Sequence, residues 1–162
     1  MRTSIPITII LFLLSCSVSK PTKTLHPYTG QQLGCGNFIA YKLSEDNNEY
    51  ISISFNASNV ELGAKQSYGI GKASIVEVKR KKYEGRIDQS LCNDVMMDKP
   101  DIIIEELATG GIVEILIRDE EIEKSKNNEP YNVTIILRDV TFEGSVVDYL
   151  RIEKINVGWL PG

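Results

Sequence analysis

From residue 33 onward the apolar positions recur mainly at every second residue, and the residues that occupy them are β-branched or aromatic. That is the strand signature. It is clearest over 50–55, where Ile51, Ile53 and Phe55 alternate with Ser52 and Ser54, so that one face is buried and the other is wet. Further strands are expected over 38–43, 68–70, 74–79, 102–106, 112–118, 133–142 and 150–157. A turn cluster, Ser44-Glu45-Asp46-Asn47-Asn48, separates the first strand from 50–55.

No window longer than about ten residues keeps a 3.6-residue period. The best helical candidate, 119–125, is short and follows a strong strand. The chain is therefore read as all-β, a single-domain β-sandwich of about eight short, mostly antiparallel strands, with a small closed β-barrel as the alternative. Within it, 102–106 and 112–118 are expected to form a hairpin around Ala108-Thr109-Gly110-Gly111. Lys79-Arg80-Lys81-Lys82 is expected at a strand tip, and Trp159 is expected to cover an open end of the core.

The N-terminus departs from this pattern. Met1-Arg2, an almost wholly apolar run over 5–14, and Ser15-Cys16-Ser17 follow the order of a secretory signal. The run is shorter than the roughly 20 residues of a spanning helix. Leu13-Leu14-Ser15-Cys16 resembles the bacterial lipobox, whose cysteine is acylated and becomes the first mature residue. Cleavage after Ser17-Val18-Ser19 is the alternative, and it would release a soluble protein. Residues 1–15 are thus read as a lipoprotein signal peptide and 16–32, polar and rich in proline and glycine, as a flexible tether. Residues 33–162 form the domain.

Setting Cys16 aside for lipid leaves Cys35 and Cys92 in an oxidising space. Pairing them would remove chain entropy worth about 4 kcal/mol, and the bridge would suit a staple between the two sheets. Two buried free thiols are the other reading. Two isolated cysteines do not make a zinc site. The formal charge of −4, one unit more negative once Arg2 is cleaved off, argues against a nucleic-acid partner.

Catalytic equipment is scarce. The only histidine, His26, lies in the expected tether, where it cannot be held within reach of a nucleophile. Paired carboxylates could hydrolyse glycosides, but Glu45, Asp46, Glu105, Glu106 and the run Asp119-Glu120-Glu121-Ile122-Glu123 gather at strand ends and turns. Such runs are read as solvated loops. Calcium on Asp119, Glu120 and Glu121, or on Asp94, Asp98 and Asp101, lacks the ligand order of a dedicated loop. Gly69-Ile70-Gly71-Lys72 fails the phosphate-loop spacing and reads as a turn. The basic run 79–82 could steer the domain to anionic surfaces, or its lysines could guard a sheet edge. Asn56 and Asn132 open glycosylation acceptor patterns, which matter only in a eukaryotic secretory route. No catalytic, cofactor or metal residues are assigned.

The lipobox, the polar tether, Gly34-Cys35-Gly36-Asn37-Phe38, Leu91-Cys92-Asn93-Asp94 and a β-rich remainder ending in Val157-Gly158-Trp159-Leu160-Pro161-Gly162 together resemble the small surface lipoproteins of the Bacteroidetes type. The resemblance implies a one-domain β protein at the cell envelope and carries no catalytic residues. The expected function is a lipid-anchored, non-catalytic binding or accessory domain, facing the periplasm or the cell exterior, with a protein or glycan partner. The alternatives are a small polysaccharide hydrolase and a secreted inhibitor-like module.

Overall fold

The computed structural model describes residues 23–25, 28–36, 39–55, 65–71, 74–87, 92 and 100–158. Over these residues the chain is a β-sandwich with one short helix. The strands are β1 Lys23–Thr24, β2 Gln32–Cys35, β3 Ile39–Leu43, β4 Glu49–Phe55, β5 Lys65–Gly69, β6 Val76–Tyr83, β7 Ile102–Leu107, β8 Gly110–Leu116, β9 Tyr131–Phe142 and β10 Ser145–Val157, with helix α1 at Asp119–Lys126 between β8 and β9. One sheet runs β1-β10-β9-β8-β5 and the other β2-β3-β4-β6-β7. Every pairing is antiparallel except that of β1 with β10.

Alternation decides which side chains meet between the sheets. Ile51, Ile53 and Phe55 of β4 and Val76 and Val78 of β6 face Val113 and Ile115 of β8, Val133, Ile135 and Leu137 of β9, and Leu150 and Ile152 of β10 in one buried core. Each fully buried residue of this size contributes roughly 1.5–3 kcal/mol. Along one side, where β2 and β3 meet β10, polar bonds close the sandwich. Gln32 Nε2 donates to the Glu153 carbonyl (2.7 Å) and Lys42 Nζ to that of Arg151 (2.9 Å). A Cβ at Gly34 would lie 2.6 Å from the Asn156 carbonyl oxygen, so only glycine lets β2 approach this closely.

A second apolar cluster lies on the outer face of the β2-β3-β4-β6-β7 sheet. It contains Tyr41, Leu43, Tyr50, Tyr83, Ile87, Cys35 and Cys92. The Tyr50 and Tyr83 rings stack at 6.1 Å and Tyr41 meets Tyr50 edge-on at 6.3 Å. Cys35 and Cys92 form a disulfide with a Cα separation of 5.7 Å. A staple between the sheets was the expected use of this bridge. Instead it ties the end of β2 to the connection that follows β6, beside the tyrosines.

Three local expectations are corrected. Strands β7 and β8 are not a hairpin: the Ala108 amide donates to Val78 in one sheet (2.9 Å) and the Thr109 amide to Thr141 in the other (2.8 Å). The chain changes sheets within that one step. The basic run is not a tip, because Lys79 to Lys82 are ladder residues of β6, paired with β4 and β7. Nor is β6 an edge for lysines to guard.

Part of the stretch expected as a tether packs on the domain. Lys23 and Thr24 pair with Ser145 and Val146, and Tyr28 is buried. The strands beyond the eight expected, β1 and β2, come from 23–35, where apolar alternation is too brief to register. Trp159 lies outside the described residues.

The short helical candidate does form a helix. Asp119, Glu120 and Glu121 occupy its first turn and Lys124 and Lys126 its last, which complements the helix dipole. Lys124 and Lys126 pair with Glu121 and Glu123 three residues back, at 3.0 and 2.6 Å. Ile122 packs against the core.

Exchanging both Cys35 and Cys92 for alanine is expected to lower unfolding free energy by about 4 kcal/mol, from the entropy of the opened loop, while the far-ultraviolet β signature survives. Urea denaturation followed by circular dichroism checks this. An unchanged midpoint would mean that the bridge contributes nothing.

Candidate functional site

Parity puts two charges on the core side of their strands. Glu49 shares its face of β4 with Ile51, Ile53 and Phe55, and Arg80 shares its face of β6 with Val76 and Val78. Both lie at the end of the sandwich where the apolar filling stops. A guanidinium cannot be dehydrated there without partners, and it has them. Arg80 Nε and Nη2 donate to the two carboxylate oxygens of Glu49 at 2.7 and 3.3 Å, a fork-on-fork pair. Arg80 Nη1 donates to Glu106 Oε2 at 2.9 Å from the neighbouring strand β7. The Tyr28 hydroxyl donates to Glu49 Oε1, which fastens the N-terminal segment to β4.

These groups hold one another in fixed protonation states. Burial alone would raise the Glu49 carboxyl, but the bonds from Arg80 and Tyr28 outweigh it and leave the group below the ordinary value of 4.5. Burial, then the bond to Glu49, raises the Tyr28 phenol well above its ordinary range. Burial opposes the charge on Arg80, yet its bond to Glu49 prevails and strengthens the guanidinium's hold on its proton. At neutral pH the ensemble is carboxylate, guanidinium and neutral phenol.

Over this network opens a cavity of about 540 Å³, lined by Lys23, Tyr28, Asp46, Glu49, Arg80 and Lys82 among others. The β3–β4 turn forms one wall, and there Ser44 Oγ donates to Asp46 Oδ1 at 2.7 Å. Lys82 reaches Glu49 only at 4.0 Å. The charged side chains of its lining balance, Lys23, Arg80 and Lys82 against Glu45, Asp46 and Glu49. Among the described residues no three histidine, cysteine or acidic side chains converge to hold a metal ion.

The other singled-out residues are dispersed. Glu105 pairs with Lys81 at 2.9 Å and Lys79 at 3.8 Å on the outer sheet face. Glu121 is not a solvated loop residue as the charge run implied. It is 2 % exposed, accepts the Asn132 amide at 2.7 Å and its side-chain nitrogen at 3.3 Å, and pairs with Lys124. Burial would raise its carboxyl, and these donors bring it below the ordinary range. It anchors α1 to β9. Asp119 and Glu120 share its helix but neither bonds Asn132 with it, and Asp101 sits beside β7. Cys16, His26, Asn56, Asp94 and Asp98 lie outside the described residues.

Sequence reasoning missed Tyr28 and Glu49. Glu49 carried a usable signal, its parity with Ile51 and Ile53. Tyr28 carried none, because its burial depends on a partner 21 residues away. No protein-family model, curated protein or solved structure matches this chain.

Exchanging Arg80 for methionine leaves Glu49 buried without its counterion and is expected to cost about 3–5 kcal/mol, measured by urea denaturation at pH 7. Because the folded-state pKa of Glu49 is depressed, its contribution is present above pH 4.5 and is lost as pH falls through the folded value. Glu49→Gln should therefore be destabilised against wild type at neutral pH and converge on it on acidification. A stability difference constant from pH 7 to pH 2 would contradict this assignment.

Proposed function

We propose that this protein is a lipid-anchored, extracytoplasmic β-sandwich that acts by binding, as an accessory component of the cell envelope, without catalysis of its own. The observation that carries the reading is the Cys35–Cys92 disulfide. A protein bond of this kind persists in an oxidising compartment, which agrees with an export signal ahead of the domain. It also leaves Cys16 as the remaining cysteine in the chain, at the position where the lipobox pattern puts the acylated residue.

The docked N-terminal segment adds a geometric consequence. Lys23, at the cavity rim, is seven residues beyond Cys16. Fully extended, that length of chain reaches at most about 25 Å, so the β1 end of the sandwich works close to the membrane.

Hydrolysis by paired carboxylates draws no support from the cavity. A general acid must hold a proton near neutral pH, and Glu49 is held below the ordinary carboxylate range. The other carboxylate of the network, Glu106, is bonded to the same guanidinium.

The intact mass of the protein recovered from its native host tests the proposal. The expected result is a chain beginning at Cys16, heavier by two or three acyl groups, lighter by two hydrogens for the bridge, and released from membranes only by detergent. Cys16→Ala should abolish the acylated species. An unmodified chain starting near Lys20 would overturn the anchored reading and favour the secreted inhibitor-like module.

A further inference from the structure

The cavity over Tyr28, Glu49 and Arg80 carries charges that the network beneath it does not use. Its volume, about 540 Å³, lies in the range of small-molecule sites, roughly 300–1,000 Å³. Four of its charged side chains answer one another. Glu49 and Arg80 form the fork-on-fork pair of the floor, and Lys82 stands 4.0 Å from Glu49. Asp46 is held below the ordinary carboxylate range first by the bond from Ser44 Oγ and last by the charge of Lys82.

Lys23 and Glu45 are the remainder. Both line the cavity and both are exposed, and among the described residues neither side chain enters an ion pair or a hydrogen bond. They come from different sheets. Lys23 belongs to β1, at the margin of the β1-β10-β9-β8-β5 sheet, whereas Glu45 lies in the turn between β3 and β4 of the other. The cavity thus has an uncommitted cation on one sheet and an uncommitted anion on the other, and Leu25 adds apolar lining on the Lys23 side.

A ligand of one sign is a poor match for such a lining. An anion drawn to Lys23 also meets the field of Glu45, and a cation drawn to Glu45 meets that of Lys23. A molecule with one charge of each sign answers both. We propose that the cavity binds a small dipolar molecule of the amino-acid or short-peptide class, with its ammonium on Glu45, its carboxylate on Lys23 and an apolar side chain against Leu25. The proposal rests on the reading of this domain as a binding module and names the class of ligand. Charge-assisted hydrogen bonds at the two ends supply the recognition, while the floor keeps the bonds it already has.

Isothermal calorimetry on the mature protein, in the form that its intact mass establishes, tests this with leucyl-leucine, its N-acetylated form and its C-terminal amide. The free dipeptide should bind with a dissociation constant below about 1 mM. Either cap should weaken binding by about tenfold or more, because each removes one charge-assisted bond. Lys23→Gln should lose the discrimination against the amide and keep that against the acetylated form, and Glu45→Gln should do the converse. Both residues are exposed, so both variants should keep the thermal transition of the wild type. Lys126→Gln, at an exposed residue of α1 outside the cavity, should bind as the wild type does.

No saturable binding of the free dipeptide up to about 10 mM overturns the proposal. So do equal affinities for the free and capped forms, tighter binding of either capped form, and a discrimination that Lys23→Gln and Glu45→Gln leave unchanged. The intact mass decides the anchor independently, so a failed titration of an acylated protein overturns the ligand class alone.

Discussion

A guanidinium on the inner face of a sandwich has to be matched, and the way Arg80 is matched organises one end of this molecule. Its donors run to β4 through Glu49 and to β7 through Glu106, while Glu49 also receives Tyr28. Strands β4 and β7 flank β6 on either side, so a single side chain ties three neighbouring strands and the N-terminal segment together. Buried ion pairs are seldom a net source of stability against apolar filling of the same shape, because both charges lose water. Their consequence here is positional. Glu106 keeps β7 in register at the sheet margin, and Glu49 fixes where the chain enters the fold.

The same end holds the cavity, and the two facts are linked. Apolar residues would close the sandwich there. Charged residues with long stems, Lys82 and Arg80, instead leave a recess whose floor is already hydrogen-bonded. A floor of that kind is rigid, and its groups are locked in one protonation state across neutral pH. Such a floor is poorly suited to proton transfer, which needs a group poised near the working pH.

Much of the architecture was legible because period-2 alternation is a local signal. Ile51, Ile53 and Phe55 announce a strand and its buried face without knowledge of any partner. Strand partners are not local, and here the reading failed. Residues 102–106 and 112–118 look like the arms of a hairpin in sequence, yet Ala108 and Thr109 bond to different sheets. The disulfide pairing followed from counting cysteines, whereas its place beside Tyr41, Tyr50 and Tyr83 followed from the fold. Lysines 79, 81 and 82 look like a solvated cluster because four cations stand in a row. Alternation sends Arg80 inward with Val76 and Val78, and parity applied to charged residues as strictly as to apolar ones would have singled out both Arg80 and Glu49.

Matching Arg80 also sets the charge of the strand beside it. The two acids of β7 are drawn back onto β6, because Arg80 needs Glu106 and the lysines beside it take Glu105. Compensating the buried guanidinium and neutralising β7 are therefore one event.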